Sequence, residues 1–290
     1  MNVLACGGEL KSTFCILKEN PLTIHTGPTL GDLEDAEKLN QYEREINGFE
    51  KKYKFMPDVI VYDLHPEYLS TKYALQRIKK SAGKLRGIPL QHHFAHSVSC
   101  LADAVLLDKI GDSTFRVTKH NANENFIGIA FDGLGYGDDG NLWGAEFFTF
   151  NLAGYRRAAH LEYVPLPGGA AAVHEPWRMG YVWLQKTFGD DFASLKIPFV
   201  KGLHKTELKI IKQMIEKKIN SPEISSMGRL FDAVAAILNL RTKVDFEAQA
   251  AVELEKIATG RKFTKEKNPG LYKFIIENEN KPMIIDAGNV

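Results

Sequence analysis

The chain has 290 residues, a formal net charge of +1, 44% hydrophobic residues and 25% charged residues. This composition is ordinary for a folded protein of one or two domains, and the near-zero charge excludes a global attraction to nucleic acid or to an anionic membrane. The sequence contains neither an apolar run that could span a bilayer nor a secretory signal, and three scattered cysteines argue against a disulfide framework. We therefore expect a cytoplasmic protein with no membrane or nucleic-acid partner.

The first half of the chain alternates short apolar strands with helix-like segments. Three strands are predicted within residues 3–28, followed by a helix over 33–53, a strand at 59–62, a helix over about 67–80, a strand at 88–90 and a helix over 93–107. This alternation is typical of a mixed sheet covered by helices, the α/β class. Residues 1–110 are predicted to form a first lobe.

The second half begins after a polar stretch with little periodicity, and we interpret residues 111–126 as an inserted loop or linker. The elements that follow are strands at 127–131, 142–150 and 155–163, helices at 176–188, about 206–218, 228–239 and 246–259, and a hairpin over 271–286. Residues 127–290 are predicted to form a second lobe with a helical insertion. This lobe never repeats the strand–helix–strand–helix run of the first, so either its tail forms something else or the lobe lacks its carboxyl-terminal part and the chain is a fragment.

An apolar strand, a glycine-rich turn and a second apolar strand occur twice, at 3–17 and at 127–148. Such turns expose backbone N–H groups that can close around a phosphate, although a generic hairpin explains them too. The first copy offers Gly7, Gly8 and Lys11 as nucleotide ligands. Lys11 is also a candidate catalytic cation, with a solvated hairpin lysine as the alternative.

The second copy is rich in both glycine and acidic side chains. It offers Gly133, Gly135, Gly137 and Asp138 as nucleotide or substrate ligands. Its carboxylates would repel a bare phosphate, so ribose hydroxyls or a metal ion such as magnesium are the better-matched partners.

The sharpest local motif is a pair of histidines four residues apart. His92 and His96 would lie on one face of a helix, where two imidazoles can share a metal ion, whereas a surface or capping cluster is the alternative. Asp132 ends the central strand of the second hairpin and is the candidate third ligand. Two imidazoles with a carboxylate suit iron or zinc better than magnesium.

Two further side chains are catalytic candidates. His65 follows a buried strand and could donate to a substrate or phosphate, although a turn in which Asp63 caps the next helix explains this segment equally well. Arg178 stands beside Trp177, and the pair is either a substrate clamp or a structural stack.

A helix near residues 228–239 carries a second pair of charged candidates. Arg229 and Asp232 are counted as nucleotide- or substrate-binding residues, but their spacing of three also fits an intrahelical ion pair. Ser226 stands where it can cap this helix.

These motifs occur in an order that resembles the carboxyl-terminal transferase domain of the HypF carbamoyltransferases, which act in nickel–iron hydrogenase maturation. The matching segments are Leu4–Lys11, Asp63–Pro66, Gln91–His96, Phe131–Gly140, Leu166–Gly169, Glu175–Arg178 and Phe231–Ala236. The resemblance runs from residue 3 to about residue 256. It implies the actin-like ATPase (ASKHA) fold, in which two ribonuclease-H-like lobes surround a nucleotide.

The resemblance also implies a reaction. Carbamoyl-adenylate, made elsewhere in the full enzyme from carbamoyl phosphate and ATP, passes its carbamoyl group to the carboxyl-terminal cysteine of a HypE-like acceptor protein. The family pattern places metal ligands on His92, His96 and Asp132, and nucleotide loops on Gly7–Lys11 and Asp132–Gly140. The expected cofactors are iron or zinc and ATP or carbamoyl-adenylate, with magnesium as a further candidate.

The sequence departs from the family pattern at both ends. The acylphosphatase-like, zinc-finger and carbamoyl-adenylate-forming domains are not in it, nor are a later glycine-rich loop and a late metal-binding aspartate. We expect these missing HypF domains to act in cis or in trans, and the chain alone not to complete the reaction. Two alternatives stay open: a carbamoyltransferase acting on a small molecule or tRNA, and an inactive scaffold that binds a nucleotide or a partner.

Overall fold

A computed structural model describes residues 1–118, 123–259, 275–277 and 282–288. The chain divides into two compact units. Unit 1 comprises Met1–Glu124, Tyr136–Asp138 and Asn151–Ala153, and unit 2 comprises Asn125–Gly135, Asp139–Phe150 and Gly154–Val290. Over the described residues, no helix is both long enough and apolar enough to cross a membrane.

Unit 1 is a mixed sheet with helices, as the α/β prediction requires. Its strands are β1 (Val3–Ala5), β2 (Cys15–Lys18), β3 (Thr23–Thr26), β4 (Val59–Asp63), β5 (Arg86–Leu90), β6 (Leu107–Gly111) and β7 (Thr114–Val117). Its α-helices are α1 (Ala36–Lys52), α2 (Leu69–Lys80) and α3 (His92–Leu101), the last extended by a π-helical turn at Ala102–Leu106. The strand order is β5-β4-β1-β2-β3-β7-β6. The pairs β1–β4 and β4–β5 are parallel and the other pairs antiparallel.

Helix α1 closes one face of the unit 1 sheet. Asp35 caps it by accepting from Glu37 N at 2.8 Å, and Tyr42 and Ile46 form its buried face. The Tyr42 hydroxyl donates to the carbonyl of Cys6 at 2.7 Å, which ties the helix to the chain just after β1. The fully buried side chains of this core also include Leu4, Ile16, Leu33 and Ile60.

The parallel strands β4 and β5 bring two polar segments to the same sheet edge. Their register sets Asp63 opposite Leu90, so both strands end together. The chain leaves β4 through residues 64–68 and leaves β5 directly into α3. Side chains from both exits can therefore meet at this edge, where sites of open α/β sheets commonly lie.

One predicted boundary in unit 1 is wrong. Residues 111–126 were expected to be a loop, but β7 (Thr114–Val117) lies inside that range and pairs with both β3 and β6. The strand was hidden because it is short and because one of its two partners, β3, comes from far earlier in the chain. The helix predicted over 93–107 is also shorter, since regular α-helix ends at Leu101.

Unit 2 is a second mixed sheet with a larger set of helices. Its strands are β8 (Phe126–Tyr136), β9 (Leu142–Asn151), β10 (Gly154–Leu161), β11 (Val164–Pro165), β12 (Glu223–Ser226), β13 (Ile275–Glu277) and β14 (Met283–Asp286). Its α-helices are α4 (Ala170–His174), α5 (Trp177–Phe188), α6 (Pro198–Gly202), α7 (Lys205–Glu216), α8 (Met227–Ile237) and α9 (Gln249–Thr259), with a 3₁₀ turn at Gly189–Ser194. The strand order is β11-β12-β9-β10-β14-β13, and β8 pairs with β9.

The core of unit 2 forms around α5 and α8. The buried apolar residues of these helices pack with those of the sheet and of α6 and α7, and include Leu166, Met179, Trp183, Phe199, Ile211, Ile224 and Ala233. Burial of this many large side chains supplies the main driving force for folding of the unit.

Three features of unit 2 differ from the sequence-based expectation or extend beyond it. The second glycine-rich segment was predicted as a turn from Asp132 onward, but β8 continues to Tyr136, so Gly133 and Gly135 lie in a strand. The short strand β12 was not predicted. Of the predicted carboxyl-terminal hairpin, β13 and β14 pair antiparallel, and the rest lies outside the described residues.

Candidate functional site

In unit 1, the histidine pair sits at the amino-terminal end of α3. Gln91 caps this helix by accepting from Phe94 N at 2.8 Å, which fixes the first turn that carries His92. The Nε2 atoms of His92 and His96 lie 3.2 Å apart, with His92 half-buried and His96 exposed. The adjacent His93 is fully buried and points its Nδ1 at the Gln91 amide at 3.1 Å, so it is not part of the pair.

The geometry of the pair fits a shared metal ion. Two nitrogens bound to one tetrahedral metal at about 2.0–2.1 Å lie about 3.3 Å apart, and the observed Nε2–Nε2 distance is 3.2 Å. The separation of the two nitrogens therefore matches that of adjacent ligands on one tetrahedral metal. Imidazole donors are suited to zinc and iron.

Next to His92 lies the carboxylate of Asp63, for which a helix cap was one of two interpretations of the sequence. Asp63, at the end of β4, is 7% exposed, and its Oδ2 lies 2.6 Å from His92 Nδ1. Its Oδ1 accepts from the backbone N of His65 at 2.8 Å. The proposed cap for α2 is provided instead by Glu9, whose Oε2 accepts from Leu69 N at 2.8 Å.

The first glycine-rich loop lies directly against the histidine pair. Gly7 has φ +68°, and a Cβ there would lie 2.1 Å from the carbonyl oxygen of Thr13, so only glycine fits. A Cβ on Gly8 would lie 3.8 Å from Cε1 of His92, in ordinary contact with the ring. Lys11 is exposed in the turn that follows. Unit 1 thus places a loop of exposed backbone beside two candidate metal ligands.

Glu9 fixes the position of this loop. Its carboxylate is 6% exposed and caps the first turn of α2, and the Ser70 hydroxyl donates to the carbonyl of Gly7 at 3.2 Å. Burial raises the pKa of the Glu9 carboxyl above its usual value, although the backbone hydrogen bonds from Ser70 and Leu69 oppose the shift. This contact could not be predicted from the sequence, because Glu9 and α2 are far apart in the chain.

His65 lies at the same sheet edge in an aromatic cluster. Its ring stacks on Tyr68 at 4.1 Å between centroids and meets the edge of Tyr136 at 5.4 Å. Its Nδ1 accepts from Glu67 N at 3.2 Å, which leaves the ring proton on Nε2 in the neutral form. Burial lowers the pKa of His65, so the ring is neutral near pH 7 and can donate from Nε2.

In unit 2, Asp132 lies within a tightly packed strand crossing. Its carboxylate Oδ1 accepts from Gly133 N at 2.6 Å, and the Ser226 hydroxyl donates to the carbonyl of Gly133. Strand β9 approaches so closely that a Cβ on Gly144 would lie 2.8 Å from the carbonyl oxygen of Asp132. The backbone on either side of the Asp132 side chain is therefore held in place.

The hairpin between β8 and β9 is clamped by a network that the sequence did not indicate. Glu146 is fully buried and its Oε2 accepts from Arg157 Nε at 2.6 Å. The Arg157 guanidinium lies 3.8 Å from the Trp143 ring and donates to the Tyr163 hydroxyl at 2.8 Å. Asp139, within the turn, accepts from Trp143 Nε1 at 2.9 Å and from Tyr163.

The carboxylate of Asp139 thus holds the turn together, although its side chain is exposed. Burial opposes its charge, but hydrogen bonds from Tyr163, Asn141 and Trp143 outweigh burial and lower the pKa of the carboxyl. Gly137 is buried and Asp138 is exposed in the same turn, and their nucleotide-binding role stays a prediction.

Arg178 makes contacts that match the structural alternative. Its Nε donates to Glu175 Oε2 at 2.7 Å, its Nη1 donates to the carbonyl of Pro167 at 3.3 Å, and its guanidinium lies 5.4 Å from the Trp177 ring. These contacts join α5 to the loop before α4. Its role as a substrate clamp stays a prediction.

Arg229 and Asp232 form the ion pair that their spacing allowed. Arg229 Nε lies 2.7 Å from Asp232 Oδ2, and the residues are 5% and 2% exposed. Burial raises the pKa of Asp232 while Arg229 opposes the shift. Ser226 caps the helix by accepting from Arg229 N at 3.1 Å, as predicted. A nucleotide contact by this pair stays a prediction.

Two family models match most of the chain. A model described as "HypF Kae1-like domain" matches residues 1–103, and one described as "Carbamoyltransferase, Kae1-like Domain, second subdomain" matches residues 128–290. Among curated proteins, Carbamoyltransferase HypF of a Synechocystis strain is 34% identical over 268 residues, covering 87% of this chain and 32% of the relative. Carbamoyltransferase HypF of Rhodobacter capsulatus is 33% identical over 260 residues, covering 88% and 32%.

Solved structures agree with this match. A full-length HypF in a phosphate- and nucleotide-bound form has a TM-score of 0.82 and 36% identity, covering 99% of this chain and 33% of that one. HypF of T. kodakarensis has a TM-score of 0.75 and 29% identity, covering 99% and 35%. The α/β fold of the Kae1-like, ASKHA type is therefore confirmed. The chain spans about a third of the length of these relatives.

Proposed function

Because this chain belongs to the HypF carbamoyltransferase family, we propose that it carries out carbamoyl transfer from carbamoyl-adenylate to a thiol of a HypE-like acceptor protein. The observation that carries the proposal is the closeness of the first glycine loop to His92, because a Cβ added to Gly8 would lie 3.8 Å from Cε1 of the imidazole. A loop able to hold a phosphate and a histidine pair able to hold a metal lie side by side. Carbamoyl-adenylate presents a phosphate next to the carbonyl that reacts.

The residues of unit 1 divide the binding task between them. Backbone N–H groups of the loop that contains Gly7 and Gly8 would hold the phosphate, with Lys11 as a cation beside it. We place His92 and His96 as metal ligands. Asp132 is added as the third ligand on the family pattern alone. A bound iron or zinc ion would act as a Lewis acid toward a carbonyl or phosphoryl oxygen.

His65 is suited to donating a hydrogen bond from its Nε2 atom. Its neutral ring carries the proton on Nε2, so it can hydrogen-bond to the carbonyl or phosphate oxygen as charge develops there. Arg178, Gly133, Gly135, Gly137, Asp138, Arg229 and Asp232 are retained as substrate or nucleotide contacts on the sequence prediction alone. We propose no more specific step for them.

The group transfer balances without a further reactant. The acceptor thiolate sulfur forms a bond to the carbamoyl carbon, the bond from that carbon to the phosphate oxygen breaks, and AMP leaves with the electron pair. The thiol proton passes to solvent or buffer. Cys6 does not supply the thiolate, because burial raises the pKa of its thiol to about 12.

The test is a transfer assay read by mass spectrometry of the acceptor. The full chain is mixed with carbamoyl-adenylate and a HypE-like protein, with and without the remaining segments of the Rhodobacter capsulatus relative. We expect a carbamoyl group on the terminal cysteine when those segments are present. His92→Ala and His96→Ala should abolish transfer, and His204→Ala, which alters an exposed histidine at the start of α7, should not.

Four outcomes distinguish the possible functions. No transfer in either arm contradicts the proposal, and nucleotide binding without transfer favours the scaffold alternative. Transfer at the wild-type rate by His92→Ala contradicts the role of the histidine pair. Rapid transfer by the chain alone refutes the expectation that further HypF segments are needed, while it supports the function itself.

A further inference from the structure

Asp63 contacts His92 at Nδ1, the ring nitrogen that does not face His96. Its Oδ2 lies 2.6 Å from His92 Nδ1, and its Oδ1 accepts from the backbone N–H of His65 at 2.8 Å. The carboxylate is 7% exposed and its backbone carbonyl accepts from the Thr71 hydroxyl at 3.0 Å. Its position is therefore fixed by β4 and by α2 and does not depend on any bound ligand.

We propose that Asp63 is a positioning residue that holds His92 in the tautomer required for metal binding. An ionised carboxylate only accepts hydrogen bonds, so the ring atom that faces it at 2.6 Å must carry the proton. With the proton on Nδ1, the lone pair of His92 is on Nε2, the atom that faces His96. This inference rests on the proposed function, because it assigns a role in the same metal site.

The two histidines are consequently unequal ligands. His92 Nε2 is an acceptor before metal arrives, so the 3.2 Å contact requires His96 Nε2 to be the donor in the metal-free neutral pair. His96 must change to the tautomer protonated on Nδ1 when a metal binds at Nε2, and its exposed position allows this proton exchange through solvent. His92 is therefore already in the tautomer that binds a metal through Nε2, whereas His96 must change its tautomer first.

Replacement of Asp63 by asparagine separates tautomer control from packing. Two N–H groups, those of His65 and of His92, face the two carboxylate oxygens, whereas an asparagine offers one oxygen and one NH₂ group. The backbone N–H of His65 can only donate a hydrogen bond, whereas Nδ1 of His92 is a donor in one tautomer and an acceptor in the other. The NH₂ group will face His92 Nδ1 and move the imidazole proton to Nε2, which blocks the metal-binding atom.

The experiment measures the tautomer of metal-free protein and its affinity for Zn²⁺. Long-range hydrogen–nitrogen NMR spectra of the full chain at pH about 8, where imidazoles are neutral, should show His92 protonated on Nδ1 in the wild type and on Nε2 in Asp63→Asn. Zn²⁺ affinity, measured by competition with a chelator, should fall about 10- to 100-fold, as for loss of other outer-shell partners. Glu50→Gln is the control, since Glu50 is another partly buried carboxylate of unit 1, paired with Arg77 at 2.6 Å. It should change neither readout.

Two kinds of result would overturn the proposed role of Asp63. An Nε2-protonated His92 in the wild type overturns it, even if Asp63→Asn does not fold. An unchanged tautomer or an unchanged Zn²⁺ affinity in a folded Asp63→Asn also overturns it. The tautomer is read without metal or substrate, so it still tests Asp63 if the proposed carbamoyl transfer fails.

Discussion

Two glycines of unit 1 show how the backbone conformation decides which amino acid a position tolerates. Gly7 lies in the left-handed region and faces the Thr13 carbonyl, whereas Gly48 lies in the exposed face of α1 with open space around it. The same amino acid is obligatory in the first place and unfavourable in the second, because glycine destabilises a helix interior.

Alanine substitutions at these two glycines should have opposite effects. Gly7→Ala should lower the free energy of unfolding by more than about 3 kcal/mol, because left-handed strain adds to a clash with backbone. Gly48→Ala should raise it by up to about 1 kcal/mol. Urea denaturation followed by circular dichroism measures both. A Gly7→Ala protein as stable as the wild type would show that the loop is not built as described.

At the scale of secondary-structure elements, β9, β10 and β12 are joined by buried polar groups as well as by the sheet. Glu146 of β9 accepts from Arg157 of β10 at 2.6 Å and from the Ser225 hydroxyl of β12 at 2.6 Å. A fully buried carboxylate is tolerated only when it is paired and hydrogen-bonded. The pair thereby aligns the strands that carry the second hairpin.

Replacing Arg157 alone should lower the free energy of unfolding more than replacing both Glu146 and Arg157. Arg157→Leu leaves the Glu146 carboxylate buried and unpaired, and we expect a loss of about 3–5 kcal/mol in the free energy of unfolding. The double variant Glu146→Leu/Arg157→Leu should be more stable than Arg157→Leu, because no isolated charge remains. Equilibrium urea unfolding of the three proteins gives the comparison. A double variant less stable than Arg157→Leu would contradict this account of the network.

At the scale of the whole molecule, the sequence predicted local structure and the order of motifs along the chain, but not the contacts between distant segments. The spacing of His92 and His96 predicted a shared helix face, the alternation of strands and helices predicted the α/β class, and the order of the motifs predicted the family. The contact of Asp63 with His92 was missed because it depends on the parallel register of β4 and β5. The Glu146–Arg157 pair was missed because nothing in either strand marks it.

Some roles could not be decided from the sequence because a residue fitted two of them equally well. Asp63 fitted a helix cap as well as a site residue, and the cap is supplied by Glu9 from a distant turn. Arg229 and Asp232 fitted a ligand site as well as an ion pair, and only coordinates reveal the 2.7 Å contact between them. A contact from a distant turn supplies the cap in the first case, and the second contact lies within one helix.

The central claim is that His92 and His96 together hold a transition-metal ion beside the glycine loop. Titration of the full chain with Co²⁺, followed by its visible absorption, tests it most directly. The account predicts saturable binding of one Co²⁺ per wild-type chain, with a spectrum typical of nitrogen ligands. It also predicts loss of that binding in His92→Ala/His96→Ala but not in His204→Ala. Equal Co²⁺ affinity and an unchanged spectrum in the double variant would contradict the claim.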